Sequence, residues 1–499
     1  MVASLLCMGP ILSAQTVDDD QAAVVEWEVQ EDRWYSLIIG GAHAGWIHHV
    51  RSSDGKRYRT WREMQLQLNR AGSNMSVGSN ATFIETHDGQ PIEITATQLM
   101  GLSEVKRQIT FSPEGVLVVT QQGDRKYRQL EPSPSGSWFM PAAMERFVEA
   151  RIASKASKIQ YRTADIEMGF RIVDVEMNAD GDQNLNLQGR EIPVLVYQSK
   201  VTDVPLVSRE LYELDGGLIR SITSLPIGDM VTEISTKNIA QAEAQELPEV
   251  MLQTFVQPDR AIPNSIDLTT ARYKLRSESS SLKDLPSAGA QHVEPSDKKQ
   301  ELEIVVDIGS RQPATDEEKS DAAFIQPSLV ADGADAAIKK LSESALISVG
   351  DSDFDRAEAM RRFVNEYVSL KSLNTAFATA SEVARSRSGD CSEHAVLLVA
   401  MLRSQGIPAR SATGLIYADV FVGHKQIFGW HMWTQALIDG DWVDFDATLP
   451  CRFTAGHILV GTSSLADGSM AEDLVSMLGL MGNLKIDVIS LGYEPEPKR

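Results

Sequence analysis

The hydrophobic period of this chain shifts from strand-like to helical near Ala331, and that shift limits what each part can fold into. From about Val24 to Ile239 apolar residues come in short or alternating runs separated by turn residues. The runs are Trp34 to Ile39 before Gly40-Gly41, Trp46 to Val50 before Ser53-Asp54-Gly55, Arg59 to Leu68, and Thr82 to Thr86 before Asp88-Gly89. Ile92 to Leu99, Val105 to Phe111 and Val116 to Gln121 continue the series. A period of two is what a strand with one buried face requires, and this spacing predicts an antiparallel sheet, curved or sandwiched. Pro141 to Ala156 breaks the pattern as an amphipathic helix. Strands resume at Ile159 to Arg162, Phe170 to Met177, Glu191 to Lys200, Val207 to Leu214, Leu218 to Leu225 and Asp229 to Thr236. Asp180-Gly181-Asp182 and Asp215-Gly216-Gly217 are expected as hairpin-type turns.

Beyond Ala331 the apolar residues recur at helical spacing. Ala336 to Leu346, Phe354 to Leu370, Thr379 to Arg387 and the run after Cys391 read as helices, with Met360, Phe363, Val364 and Tyr367 on one face of the second. Ser411 to Tyr417, Met432 to Ile438 and Asp441 to Phe445 read as sheet strands, the last two joined by an Asp439-Gly440 turn. From Thr462 a strand–helix–strand pattern ends in Ile486 to Leu491. Between the two halves Ser277 to Gln300 reads as a polar loop. Met251 to Val256, Ala271 to Arg276 and Glu301 to Ile308 suggest a small β module. A chain of 499 residues exceeds one ordinary core. The expected plan is a signal segment at 1–14, an antiparallel β-rich domain at 24–240, a connecting region at 241–330 and an α+β domain at 331–499.

A formal net charge of -22, with no Lys/Arg run, leaves no basic face for phosphate contacts or anionic lipid, so no nucleic-acid partner is expected. Met1 to Ala14 is apolar and closed by small residues before Gln15-Thr16 and Asp18-Asp19-Asp20, which resembles the core and cleavage site of a secretory signal. Export to a periplasmic or extracellular space is therefore expected. No later apolar run is long enough to span a bilayer, which takes about 18 residues or more. Three cysteines, Cys7, Cys391 and Cys451, are too few for a disulfide framework in a chain this long. A Cys391–Cys451 bridge would silence Cys391 as a nucleophile.

Cys391 is the residue on which a function can be argued. It opens the periodic run Ala395, Leu398, Val399, Leu402, with Asp390 as N-cap and Gly406 as the stop before Ile407-Pro408. A thiol in a first helical turn gains from the dipole, and backbone N–H groups there can receive an oxyanion. A thiol nucleophile also needs a base, and the base an orienting acceptor. His431, in a strand flanked by Trp430 and Trp433, supplies the first. Asp446, beyond the Asp439-Gly440 turn, supplies the second, with Asp444 on the same face as runner-up. His424 is the alternative base. Tyr417 and Trp430 are candidates to line a substrate cleft, although ordinary core aromatics read the same way. His394 could pair with Cys391 as Cys-x-x-His on zinc, but no second pair stands at matching spacing, so packing near the helix start is favoured. His43, His48 and His49 could bind a metal, but no carboxylate or thiol is grouped with them in sequence. Arg410 and Cys451 read as structural.

Gly389-Asp390-Cys391-Ser392-Glu393-His394-Ala395, Gly406-Ile407-Pro408-Ala409-Arg410, Gly414-Leu415-Ile416-Tyr417, His431-Met432-Trp433 and Trp442-Val443-Asp444-Phe445-Asp446-Ala447-Thr448 follow in that order. Over roughly Ala331 to Leu491 the chain thereby resembles the transglutaminase-like superfamily, and more narrowly its bacterial exported members. The resemblance implies a papain-like core, in which a helix bearing the cysteine packs on an antiparallel sheet. It also implies Cys391 as nucleophile, His431 as base and Asp446 as orienter. The reaction implied is acyl transfer from a peptide or protein amide to the thiol and then to an amine or to water. The matching blocks carry no calcium site, so no metal or cofactor is expected. The reading from another class is a catalytically silent scaffold that keeps the fold.

Overall fold

Alternation in the first half produces one long antiparallel sheet. Its strands are β1 (Glu28–Ile39), β2 (Ala42–Ser53), β3 (Arg57–Arg70), β4 (Ser73–Thr86), β5 (Pro91–Met100), β6 (Ser103–Ser112), β7 (Gly115–Gln122) and β8 (Arg125–Glu131). After helix α1 (Pro141–Ala153) follow β9 (Lys158–Asp165), β10 (Arg171–Leu187), β11 (Arg190–Val201), β12 (Val207–Tyr212), β13 (Leu218–Leu225) and β14 (Gly228–Ser235). The computed structural model describes residues 26–493 apart from 101–102, 123–124, 167–169, 203–205, 279, 374–377, 467–476 and 478. The apolar segment at 1–14, with Cys7, lies outside the described residues.

Each strand pairs with its sequence neighbour, and β1 joins the two runs by pairing with β14. Helix α1 touches both β3 and β9, which lie far apart in the strand order, so the sheet curls around it. Val148 and Ile152 of α1 pack against Ile159, Met177 and Tyr197. Its first N–H groups, those of Ala142 and Ala143, donate to the Glu85 carboxylate at 3.0 and 2.8 Å. One turn differs from expectation. Asp180-Gly181-Asp182 lies inside β10, where the register with β11 shifts between Ala179 and Asp182, so this is a bulge. The hairpin turn is Gln188-Gly189, both with positive φ.

A short helix, α2 (Lys237–Ala240), leads out of this sheet. The connecting region then supplies β15 (Leu268–Ser277), β16 (Gln291–Val293) and β17 (Glu301–Asp307). Met251 to Val256 is not a strand: it holds a 3₁₀ turn at Leu252–Thr254. The three strands do not stand alone. They form a four-stranded sheet in the order β16-β17-β15-β24 with the last described strand, β24 (Leu484–Tyr493). Tyr273, Leu275 and Ile304 from this sheet share one core with Leu415, Tyr417, Phe428 and Ile458.

Helices α3 (Asp316–Ser320), α4 (Ala336–Ala345), α5 (Asp353–Tyr367), α6 (Ala380–Ser386) and α7 (Cys391–Ser404) follow, with a two-residue parallel ladder between β18 (Leu370–Lys371) and β19 (Ser388–Gly389). Next come β20 (Ala409–Phe421), β21 (His424–Ile438), β22 (Asp441–Phe445) and β23 (His457–Ser463), paired in the order β22-β21-β20-β23. The protein is thus strand-rich, and its larger sheets are antiparallel. Helix α7 is enclosed along most of its length, buried from Glu393 to Arg403. Its Val396 to Leu402 pack with Ile338 of α4, Met360 and Val364 of α5, Val383 of α6 and Ala436 and Ile438 of β21. A helix enclosed on every side has its ends fixed, and the N-terminal end holds Cys391.

Candidate active site

The first turn of α7 is built by Asp390. Its Oδ1 accepts from the Ser392 N–H at 2.9 Å, and Glu393 Oε2 accepts the Asp390 N–H at 2.9 Å, closing a capping box. The Glu393 N–H also goes to the Asp390 side chain, and the His394 N–H to the Asp390 carbonyl at 3.2 Å. The cap therefore consumes donors that a bare helix end would leave free. Among the described residues the Cys391 N–H is the first-turn donor left for an oxyanion. A Cβ on Gly389 would sit 2.2 Å from the Glu393 Cβ, so only glycine allows this approach to the cap.

β21 and the segment after β22 bring the other two groups. His431 is buried, and its Nε2–H donates to Asp446 Oδ2 at 2.8 Å. The remaining ring nitrogen serves the Cys391 side chain, with which His431 hydrogen-bonds. Asp446 has no exposed surface, and its Oδ1 accepts the Thr448 N–H at 2.8 Å. Its backbone is held from α5. Arg361 Nη1 donates to the carbonyls of Asp446 and Leu449 at 3.2 and 3.0 Å. Asn365 donates to those of Ala447 and Thr448 at 2.9 and 3.1 Å. So the helix packed beside α7 also fixes the carboxylate. Cys391, His431 and Asp446, far apart in sequence, form one hydrogen-bonded row.

Charge follows from that row. Burial alone would lower the His431 pKa, but the Asp446 charge and hydrogen bond, and after them Cys391, push it up to about 10. Burial would raise the Asp446 pKa, but His431 and then His457 hold it well below the usual carboxylate range. At neutral pH His431 is therefore a cation between the carboxylate and the sulfur.

His457, at the start of β23, is the residue sequence reasoning missed. Its Nε2 lies 3.2 Å from the same Asp446 Oδ2, and its Nδ1 lies 2.9 Å from the Thr454 carbonyl. The ring stacks on Phe453 at 4.1 Å. The signal was present as His457-Ile458-Leu459-Val460, a polar residue leading an apolar run, whereas the strand was expected to start only at Thr462.

Asp444 is fully engaged elsewhere. Its Oδ1 accepts from Trp433 Nε1 and Gln435 Nε2, both at 2.8 Å, and its Oδ2 from the Ala290 N–H at 2.7 Å. It ties β21 to the connecting region and does not orient His431. His424 is exposed at the start of β21 with its edge on Phe255, away from Asp446. Tyr417 and Trp430 belong to the core shared with β15 and β17, and Tyr417 Oη accepts the Ile262 N–H at 3.1 Å. Trp430, next to His431 in a regular strand, points to the opposite face from the imidazole. Both candidates for lining a cleft pack in or against this core. Trp433, two residues along, lies on the face of His431 with ring centroids 6.2 Å apart.

His394 is buried, with Nδ1 2.5 Å from the Asp390 carbonyl and Nε2 2.5 Å from Lys371 Nζ. Burial first, and Lys371 after it, lower its pKa to about 4, so the ring is neutral and accepts from the lysine. Arg410 stacks on Trp442 at 3.8 Å and pairs with Glu318 at 2.5 Å, an anchor as expected. Cys391 and Cys451 are both free thiols.

Among the described residues two groups of side chains could hold a cation. One is His431, Asp446 and His457, where an ion would displace the protons of the hydrogen bonds just described. The other is Glu31, His49 and Glu145 in the N-terminal sheet. The carboxylates missing beside His49 in sequence arrive there from β1 and α1. Arg51 already lies 3.1 Å from Glu31 and 3.2 Å from Glu145, so a guanidinium takes the place of the ion. His48 instead stacks on Trp34 and meets Asp32.

Residues 343–447 match the family model of the transglutaminase-like superfamily, and the chain carries that domain there. Among solved structures, a β-barrel-like protein, a domain of unknown function from Brucella abortus, is 10% identical with a TM-score of 0.32, over 41% of this chain and 95% of that one. A candidate cysteine protease from Cytophaga hutchinsonii is 16% identical with a TM-score of 0.28, over 46% of this chain and 85% of its own. A candidate protease from Parabacteroides distasonis is 10% identical with a TM-score of 0.19, over 81% and 70%. A search of curated proteins found no match. No helix among the described residues is long and apolar enough to cross a membrane.

Proposed function

We propose that the protein is a thiol enzyme that forms an acyl-enzyme on peptide or protein amide groups, in a papain-like core. The observation that carries this reading is the row Cys391–His431–Asp446 at the capped N-terminus of a buried helix. With the Cys391 proton already resting on His431 as an imidazolium–thiolate pair, the sulfur attacks the amide carbonyl carbon. The carbonyl electron pair moves to oxygen, beside the Cys391 N–H. Collapse breaks the C–N bond while the His431 imidazolium gives its proton to the departing amine. The neutral imidazole then takes a proton from the second nucleophile, which attacks the thioester. The C–S bond breaks and the sulfur leaves with its electron pair. Water as second nucleophile gives hydrolysis, and an amine gives transamidation. The apolar segment at 1–14 supports export of the chain.

The test is the pH dependence of iodoacetamide labelling at Cys391, read by mass mapping so that Cys451 is counted apart. Fast labelling near pH 6 that collapses in His431→Ala is the expected result. Slow labelling that rises like an ordinary thiol and ignores the substitution would refute the reading. Peptide hydrolysis and amine incorporation assays, with Cys391→Ala as the blank, then separate the two fates of the thioester.

A further inference from the structure

The cap of the cysteine helix is completed from the other half of the chain. Arg70 is the last residue of β3, before the tight turn Ala71-Gly72, in which both residues have positive φ. Its Nη1 lies 2.6 Å from Asp390 Oδ2, the oxygen of the N-cap not used by Ser392. The Asp390 side chain is 7% exposed and that of Arg70 23%. Burial works against the guanidinium charge, but Asp390, and after it Cys391, hold it more firmly than usual.

The hairpin is braced where it makes this contact. The Asn69 N–H donates to the Pro248 carbonyl at 2.8 Å, the Val250 N–H to the Asn69 carbonyl at 3.0 Å, and the Ala71 N–H to Glu249 Oε2 at 3.0 Å. The same sheet also reaches the helical half elsewhere. Tyr127 Oη donates to Asp332 Oδ2 at 3.2 Å, and Gln122 Nε2 to Glu382 Oε2 at 3.4 Å. The charged and titratable groups around Asp390 are Arg70 from β3, Glu393 and Cys391 on its own helix, and the Lys371–His394 pair. Glu393 adds no negative charge near neutrality: burial, and then Asp390, push its pKa up to about 8. Arg70 is thus the cation that balances Asp390 one residue from the nucleophile.

We propose that Arg70 is a positioning residue of the thiol site, and that the N-terminal sheet completes the site by docking this hairpin on the helix cap. This rests on the proposed thiol chemistry. Without Arg70 an unpaired, nearly buried carboxylate stands beside the sulfur, and both the cap geometry and the ionised sulfur are disfavoured. A surface ion pair would carry no such consequence.

The experiment compares Arg70→Ala and Arg70→Lys in the full chain. Iodoacetamide labelling of Cys391 across pH is one readout, and hydrogen exchange at the amides of residues 391–394 is the other. Arg70→Ala should slow labelling near neutral pH roughly tenfold and move its acid limb to higher pH. It should also speed exchange in the first turn of α7 while leaving α5 unchanged, and Arg70→Lys should restore most of both. In an Asp390→Asn background the Arg70→Ala effect should vanish. Exchange unchanged at 391–394, or faster equally throughout the chain, would overturn the proposal. If wild-type labelling ignores His431→Ala, the thiol reading fails instead, and the exchange comparison still decides the role of Arg70.

Discussion

Replacing Asp446 with asparagine removes one charge and nothing else in shape, and the surrounding hydrogen bonds dictate how the amide must sit. Asp446 Oδ1 accepts the Thr448 N–H, a backbone donor that cannot reverse. The Asn carbonyl oxygen therefore takes that place, and its NH₂ group occupies the position of Oδ2, facing His431 Nε2 and His457 Nε2. His457 can accept such a proton, because its Nδ1–H already donates to the Thr454 carbonyl. His431 is forced into the tautomer that carries its proton toward Cys391, where it cannot act as base. The charge adds to this. The climb of the His431 pKa from 6.5 to about 10 owes more to Asp446 than to Cys391. An Asp446 share of about 2 to 3 kcal/mol corresponds to a roughly 30- to 150-fold loss of the imidazolium–thiolate pair. The expected result is labelling of Cys391 slowed by at least about 30-fold over the whole neutral range, in a protein that still unfolds cooperatively. Labelling within about threefold of wild type would refute both the tautomer argument and the assignment of Asp446 as orienter.

Stability should fall as pH rises above neutrality. A histidine whose pKa is raised on folding contributes fully below its ordinary 6.5, and the contribution is lost as pH climbs to about 10. The shift bounds it at about 5 kcal/mol. Unfolding by urea at pH 6.5, 8 and 10 should show a steeper decline in wild type than in His431→Ala, and parallel curves would contradict this. His457→Phe removes the ring nitrogens that meet Asp446 and the Thr454 carbonyl, which should cost about 1 to 2 kcal/mol in kcat at unchanged KM. His457→Gln, which keeps a polar group that can hydrogen-bond Asp446, should recover most of it, and two equally active variants would refute the role. Asp444→Ala leaves three buried donors unpaired and should destabilise the fold by about 2 to 3 kcal/mol in thermal unfolding. The folded fraction should label at Cys391 like wild type, and slowed labelling would return Asp444 to the site.

What the sequence reveals of this site follows from how far each contact reaches along the chain. The cap of α7 is local: Asp390 and Glu393 stand three residues apart, and the helix start can be read from them directly. The pairing of His431 with Asp446 spans one hairpin, whose Asp439-Gly440 turn is itself legible. The same period-two rule that separates Trp430 from the face of His431 was available, yet flanking aromatics suggested a lined cleft. Asp180-Gly181-Asp182 misleads for a related reason, because the residues that suit a tight turn also suit a bulge, and only the register with β11 distinguishes them. Arg70 leaves no comparable trace, and the apolar run behind His457 marks a strand but not its partner. His457 reaches Asp446 through the pairing of β23 with β20, and Arg70 reaches Asp390 across 320 residues (390−70) through the docking of the β3 hairpin on the cap of α7. No local pattern encodes a contact whose geometry is fixed by two cores at once. Asp390 nevertheless carries a demand that is visible in chemistry if not in spacing. A carboxylate that caps a buried helix with one oxygen has a second to satisfy, and beside the proposed thiol nucleophile that second partner should be a cation. Glu393 cannot supply it, and Lys371 is turned to His394. The deficit within 331–499 is met by Arg70 of the N-terminal sheet, which makes this part of the thiol site a product of both halves of the chain.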